Sequence, residues 1–131
     1  MRKFLTAALI IAATLTLGLA QGTDTPQSFD QLVKLARAPQ QIGGLGRAVV
    51  VVKDQNGNPI SNAFIKLEST WGDDQFCESW GGTANHGAIA LNPIHMGRLK
   101  LIVKAKGFQT QKLDINASSL SDPINVTLVR K

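Results

Sequence analysis

Hydrophobic and polar positions along the chain fall into three regimes. Phe4 to Leu19 is an almost unbroken apolar run without a charge. Between Ser28 and Ala36 the apolar residues Phe29, Leu32, Val33 and Ala36 recur at i, i+3, i+4 and i+7, the spacing of one helical face. Ser28 is placed to cap that helix, Gln31 is its capping-box partner three residues on, and Pro39 stops it. The pattern predicts one short amphipathic helix of about ten residues, too short to be stable alone in water. It therefore docks on the domain, docks on a partner, or frays. Residues 21–27 read as a polar tail, and Pro39 to Gly46, with three glycines, as a hinge.

Beyond residue 46 the period changes to two. Ala48 to Val52 is a β-branched run suited to a strand covered on both faces. Asp54-Gln55-Asn56-Gly57-Asn58-Pro59 is dense turn chemistry. Ala63, Ile65 and Leu67 alternate with Phe64, Lys66 and Glu68, and Ile89 and Leu91 form a short strand ended by Pro93. Leu99, Leu101, Val103 and Ala105 alternate with Arg98, Lys100, Ile102, Lys104 and Lys106 before Gly107. Leu113 and Ile115 alternate with Lys112 and Asp114, and Ile124, Val126 and Leu128 with Asn125, Thr127 and Val129. With a seventh strand around Gln75 to Trp80, strands at about ten-residue spacing predict an all-β, seven-stranded antiparallel Greek-key sandwich.

Composition then sets the address. Met1-Arg2-Lys3 precedes the apolar run, and Gly18-Leu19-Ala20 places small residues before Gln21, the three-part pattern of a secretory signal peptide cleaved after Ala20. The expected organisation is a signal peptide at 1–20, a tail, helix and hinge at 21–46, and one sandwich domain at 47–131. The processed protein is expected outside the cytoplasm, in the periplasm, on the cell surface or in the medium, with no membrane span left after cleavage. Losing Arg2 and Lys3 takes the 14 basic residues to 12 against nine acidic ones, a charge of +3. That is too mild to indicate nucleic-acid binding. Cys77 is the single cysteine, so no internal disulfide is available to an exported chain. It is either a buried small hydrophobe, a capped thiol or half of an intermolecular bridge.

Several motifs recur in one order between Val49 and Leu128. They are Val50-Val51-Val52-Lys53-Asp54, Gly57-Asn58-Pro59-Ile60, Asn62-Ala63-Phe64-Ile65, Thr83-Ala84-Asn85-His86-Gly87 before Ala88 to Leu91, Gly97 to Ala105, Gly107-Phe108, and Val126-Thr127-Leu128. In this order they resemble the carboxypeptidase regulatory-like domain, a transthyretin-like β-sandwich. The resemblance implies that Asp54, Gly57, Pro59, Gly87, Gly107 and Phe108 define turns of the fold. It also implies a non-catalytic module, since such domains usually sit beside enzymes, receptors or surface proteins. The chain departs from the pattern in a long insert, Trp71 to Gly82.

Candidate chemistry is sparse. The insert carries Trp71, Asp73, Asp74, Glu78 and Trp80. Indole faces stack on sugar rings and carboxylates accept hydroxyl hydrogen bonds, so these five residues form a candidate glycan or protein site. The competing reading is that the tryptophans cap the core beneath a long loop. Cys77, His86 and His95 are ligand types for copper, although Cys77 and His86 are nine residues apart, unlike the compact terminal loop of a type 1 copper site. Arg98, Lys100, Lys104 and Lys106 fall on one strand face, either a basic stripe or a solvated one. Motifs of serine hydrolases, zinc proteases and P-loop enzymes are absent from the sequence.

The sequence thus predicts a non-catalytic exported binding or assembly module of the cell envelope, with no cofactor. Its expected partner is an envelope protein or a polysaccharide, and a homo-oligomer is left open. The alternative is a small copper-binding redox protein using Cys77, His86 and His95.

Overall fold

The computed structural model describes residues 28–41 and 43–131. The expected signal peptide and polar tail lie outside the described residues. Among the described residues the order is α1 (Phe29–Val33), β1 (Leu45–Gly46), β2 (Val49–Asp54), β3 (Phe64–Trp71), β4 (Gln75–Gly82), β5 (Ala88–Ala90), β6 (Ile94–His95), β7 (Arg98–Lys104), β8 (Gln111–Ile115), a 3-10 turn (Ala117–Ser121) and β9 (Ile124–Leu128). Seven of these strands form two sheets, one ordered β5-β2-β9 and the other β4-β3-β7-β8, while β1 and β6 make a separate two-stranded ribbon. The described residues form an all-β sandwich with one short α-helix.

The period-two pattern explains the core. Ile65, Leu67, Leu99, Leu101 and Val103 line the inner face of the four-stranded sheet and are buried. They pack on Val50, Val52, Val126 and Leu128 of the other sheet. The β-branched run of β2 is covered twice, as expected of a central strand. Val50 and Val52 point into the main core, while Val51 packs outward with Ala88 and Leu32 of α1. Phe108 is buried, with the Arg130 guanidinium 4.9 Å above its ring. Leu120, from the 3-10 turn that the sequence pattern did not suggest, is fully buried in the same core.

One pairing corrects the expected all-antiparallel arrangement. β2 and β9 run parallel, from Val50 opposite Ile124 to Asp54 opposite Leu128. A parallel pair needs a long crossover. Here the intervening chain supplies it by building the whole second sheet before returning to β2.

The helix is shorter than its apolar spacing implies. Its capping box is present: the Gln31 N–H donates to Ser28 Oγ at 3.3 Å, and the Ser28 N–H donates to Gln31 Oε1 at 3.0 Å. It ends after five residues, because Arg37 is already extended and pairs with Arg47 in both directions, at 3.0 and 2.7 Å. Leu32 settles where the helix goes, since it is buried against Val51 and Ala88 on the outer face of the three-stranded sheet. The segment expected to hinge is strapped down by β1 pairing with β6 and by the Gly43 N–H donating to the Met96 carbonyl at 3.1 Å.

Asp54 shows how turn chemistry becomes structure. Its Oδ1 accepts from the Asn58 N–H at 2.9 Å and the Asn56 N–H at 2.8 Å. These bonds, Asn58 first, hold its carboxyl below the ordinary carboxylate range against the opposing effect of burial, with the Arg130 charge assisting. A depressed folded-state pKa gives stability that is present above the unfolded value and is lost as pH falls through the folded one. Asp54→Asn is therefore expected to flatten the acid limb of a melting-temperature profile below about pH 4, relative to the wild type. Parallel thermal melts across that range check it, and superimposable limbs would show that Asp54 does not carry the linkage.

Candidate functional site

The Trp71 to Gly82 insert is a hairpin: the strand expected around Gln75 to Trp80 is present as β4, and the long loop considered beside it is not. β4 pairs with β3 over its full length, from Trp71 opposite Gln75 to Phe64 opposite Gly82. The reversal falls within Gly72, Asp73 and Asp74, with Asp74 at φ 67°. Pairing fixes which way each side chain faces. Trp71 shares the inner parity of Ile65, Leu67 and Ser69, whereas Phe76, Glu78 and Trp80 lie opposite Thr70, Glu68 and Lys66 on the outer face.

The five candidate residues consequently separate. Glu78 and Trp80 lie on the outer sheet face, where Trp80 is 60% exposed, so it caps no core. Lys66 reaches Glu68 at 3.1 Å and Glu78 at 3.8 Å. The Glu68 carboxylate, with help from Glu78, holds the Lys66 ammonium above its ordinary range. Asp73 is exposed at the turn. Trp71 and Asp74 line a cleft of about 780 Å³ at one end of the sandwich. Arg98, Thr70, Gln40 and Met96 share that lining.

Long-range contacts set the position of Trp71. Its ring lies 5.2 Å from the His95 ring at 31°. His95 Nδ1 lies 2.8 Å from the Gly43 carbonyl oxygen, which can only accept, so Nδ1 carries the proton. The backbone beside the cleft is close-packed: a Cβ on Gly97 would fall 2.6 Å from Trp71 Cβ, and the Gly97 N–H donates to Ser69 Oγ at 2.8 Å. The indole therefore leans on an imidazole whose orientation the ribbon segment fixes. The same cleft is lined by Asp74, Arg98, Gln40 and the Thr70 segment. This combination of an aromatic wall with mixed donors and acceptors suits a polar, hydroxyl-rich ligand.

The copper reading fails on geometry. The Cys77 thiol donates to the His95 backbone carbonyl at 3.4 Å. His86 instead lies beside α1, its ring 6.2 Å from that of Phe29 and its Nδ1 accepting from the Ala88 N–H at 3.3 Å. Among the described residues, no three His, Cys, Asp or Glu side chains gather to hold a metal. The basic stripe is also interrupted, because Lys100 lies in register between Glu68 and Asp114.

Sequence reasoning passed over Arg98, Thr70 and Gln40 as residues of this site. Arg98 was visible only as a member of the stripe, and Gln40 only as part of the presumed hinge. No protein-family model matches the chain, and no curated protein matches it in sequence. No helix among the described residues is long and apolar enough to cross a membrane.

Proposed function

We propose that this protein is a non-catalytic, exported binding module of the cell envelope that takes a carbohydrate in the cleft at Trp71. The observation that carries the proposal is the Trp71 indole, braced by His95, in a cleft also lined by Asp74, Arg98 and Gln40. A sugar offers an apolar ring face to an indole and hydroxyls to such polar groups. The motif order supports a module resembling the carboxypeptidase regulatory-like domain, and a two-sheet sandwich is the architecture that resemblance implies. The basic start, apolar run and small residues before Gln21 support export. The intact mass of the protein recovered outside the cytoplasm is expected to correspond to a chain beginning at Gln21.

Binding is tested by titrating soluble β-linked glucose and N-acetylglucosamine oligosaccharides, and by sedimentation with isolated envelope polysaccharide. Trp71→Ala is expected to weaken retention at least about tenfold, equal to 1.4 kcal/mol, while Trp80→Ala leaves it unchanged. Equal retention of Trp71→Ala and wild type, or no retention of the wild type by any of these sugars, would overturn the assignment of the cleft. Retention lost only in Trp80→Ala would move the site to the outer sheet face.

A further inference from the structure

β4 is the longest exposed edge of the sandwich. It borders the four-stranded sheet on one side and, among the described residues, has no hydrogen-bonded strand on the other. The Thr83 N–H donates to the Ala63 carbonyl at 3.0 Å, which fixes Thr83 as bonding toward β3. Antiparallel alternation then turns Gly81, Ser79 and Cys77 toward β3 and leaves the backbone groups of Phe76, Glu78, Trp80 and Gly82 pointing outward. Edge strands are normally protected by lysine, proline, brevity or a covering element. The other edge of the same sheet, β8, carries Lys112 and Asp114, and β5 spans only three residues. β4 has eight residues, Gln75-Phe76-Cys77-Glu78-Ser79-Trp80-Gly81-Gly82, with no lysine, arginine or proline. Phe76 and Trp80 on it are 55% and 60% exposed.

We propose that β4 pairs antiparallel with β4 of a second copy, joining the two four-stranded sheets across a two-fold axis at Ser79. Centred there, Phe76 falls opposite Gly82 of the other copy and Glu78 opposite Trp80. Every outward backbone group from Phe76 to Gly82 then gains a partner. Charge disfavours the neighbouring register centred on Glu78. An axis at Glu78 would align Glu68 and Glu78 of both copies in one row, and like charges directly opposite are destabilising. With the axis at Ser79, each Glu68–Glu78 pair instead faces Trp80 and, behind it, Lys66 of the other copy. The two indoles become diagonal neighbours over the axis, a separation aromatic side chains can span. A different protein would have to match this strand length and charge order, whereas a second copy does so by symmetry.

The experiment is light scattering of the purified exported chain over a concentration series, with the intact mass recorded first. The wild type is expected at twice the chain mass. Glu78→Pro removes an outward N–H without touching the β3 ladder and is expected to be monomeric, while Glu78→Ala stays dimeric. Trp80→Asp sets a carboxylate against Glu78 of the other copy and is expected to raise the dissociation constant at least about tenfold. The double variant Trp80→Asp with Glu78→Lys is expected to recover the dimer, which tests the register and stands if Glu78→Pro fails to fold. A monomeric wild type, a dimer unaffected by both Glu78→Pro and Trp80→Asp, or open-ended polymers would overturn the proposal. Because Trp71 lies on the inner parity of the sheet, loss of the dimer leaves the oligosaccharide titration as a separate result.

Discussion

Gly87→Ala is expected to destabilise the domain by about 3 kcal/mol or more, combining left-handed backbone strain with an overlap that cannot relax. Gly87 sits at φ +80°, and a Cβ there would fall 2.7 Å from the Val52 carbonyl oxygen and 2.9 Å from Pro59 Cβ. Neither neighbour is free to move. The Val52 N–H donates to the Gly87 carbonyl at 2.7 Å, and the Val52 carbonyl accepts from the Ile60 N–H at 3.0 Å. The substitution thus strikes the junction where β5 begins to pair with β2. Gly107→Ala is the internal control: Gly107 has φ +86° but nothing within 4 Å of the added carbon. It should lose only the conformational component, about 1–2 kcal/mol. Thermal or urea melts of both variants check the pair, with a melting temperature lower by about 10–20 °C for Gly87→Ala. Equal losses in the two would show that the close approach to Val52 carries no weight.

Gly87 also shows which parts of the structure could be read from the sequence. Turns were legible where local chemistry dictates them. Asp54 to Pro59 announces its own hydrogen bonds, and Ser28 with Gln31 announces a cap. Strands were legible where one face is strongly apolar, as in β3 and β7. β4 was harder, because its inward residues Cys77, Ser79 and Gly81 are small and its largest side chains face solvent. Alternation there runs opposite to the usual sense, so the sequence suggested a strand around Gln75 to Trp80 without showing which of its faces turns inward. The length of α1 depended on the Arg37–Arg47 pairing, which spans ten positions and leaves no periodic trace. The parallel partner of β2 is likewise a fact of topology. The cleft was the least visible feature, being assembled from residues near 40, 70–74 and 96–98. Trp71 and Trp80 looked like one site because they are close in sequence. The hairpin register assigns them to opposite faces.

Thr83→Val should cost nearly as much as the Gly87 substitution, by a different route. Thr83 is 3% exposed. Its Oγ1 donates to the Ile60 carbonyl at 2.7 Å and accepts from the Ala63 N–H at 2.9 Å. One hydroxyl therefore closes two backbone groups where the chain enters β3 and leaves β4. Valine keeps the shape but offers neither a donor nor an acceptor. Ile60 and Ala63 are themselves buried, so water does not replace the lost partner. Two buried polar groups left unpaired give an expected loss of about 3 kcal/mol. Thr83→Ser restores the hydroxyl and lacks only a methyl group, so its loss should be about 1 kcal/mol. Urea melts of the three proteins decide the matter, and a serine variant as unstable as the valine one would mean that methyl packing, not the hydroxyl clip, holds the junction. Hydrogen exchange adds a positional check, because only loss of the clip should selectively expose the Ala63 amide. Thr83 and Gly87, four residues apart and bonded to different strands, thus hold one corner of the sandwich by hydrogen bonding and by close approach.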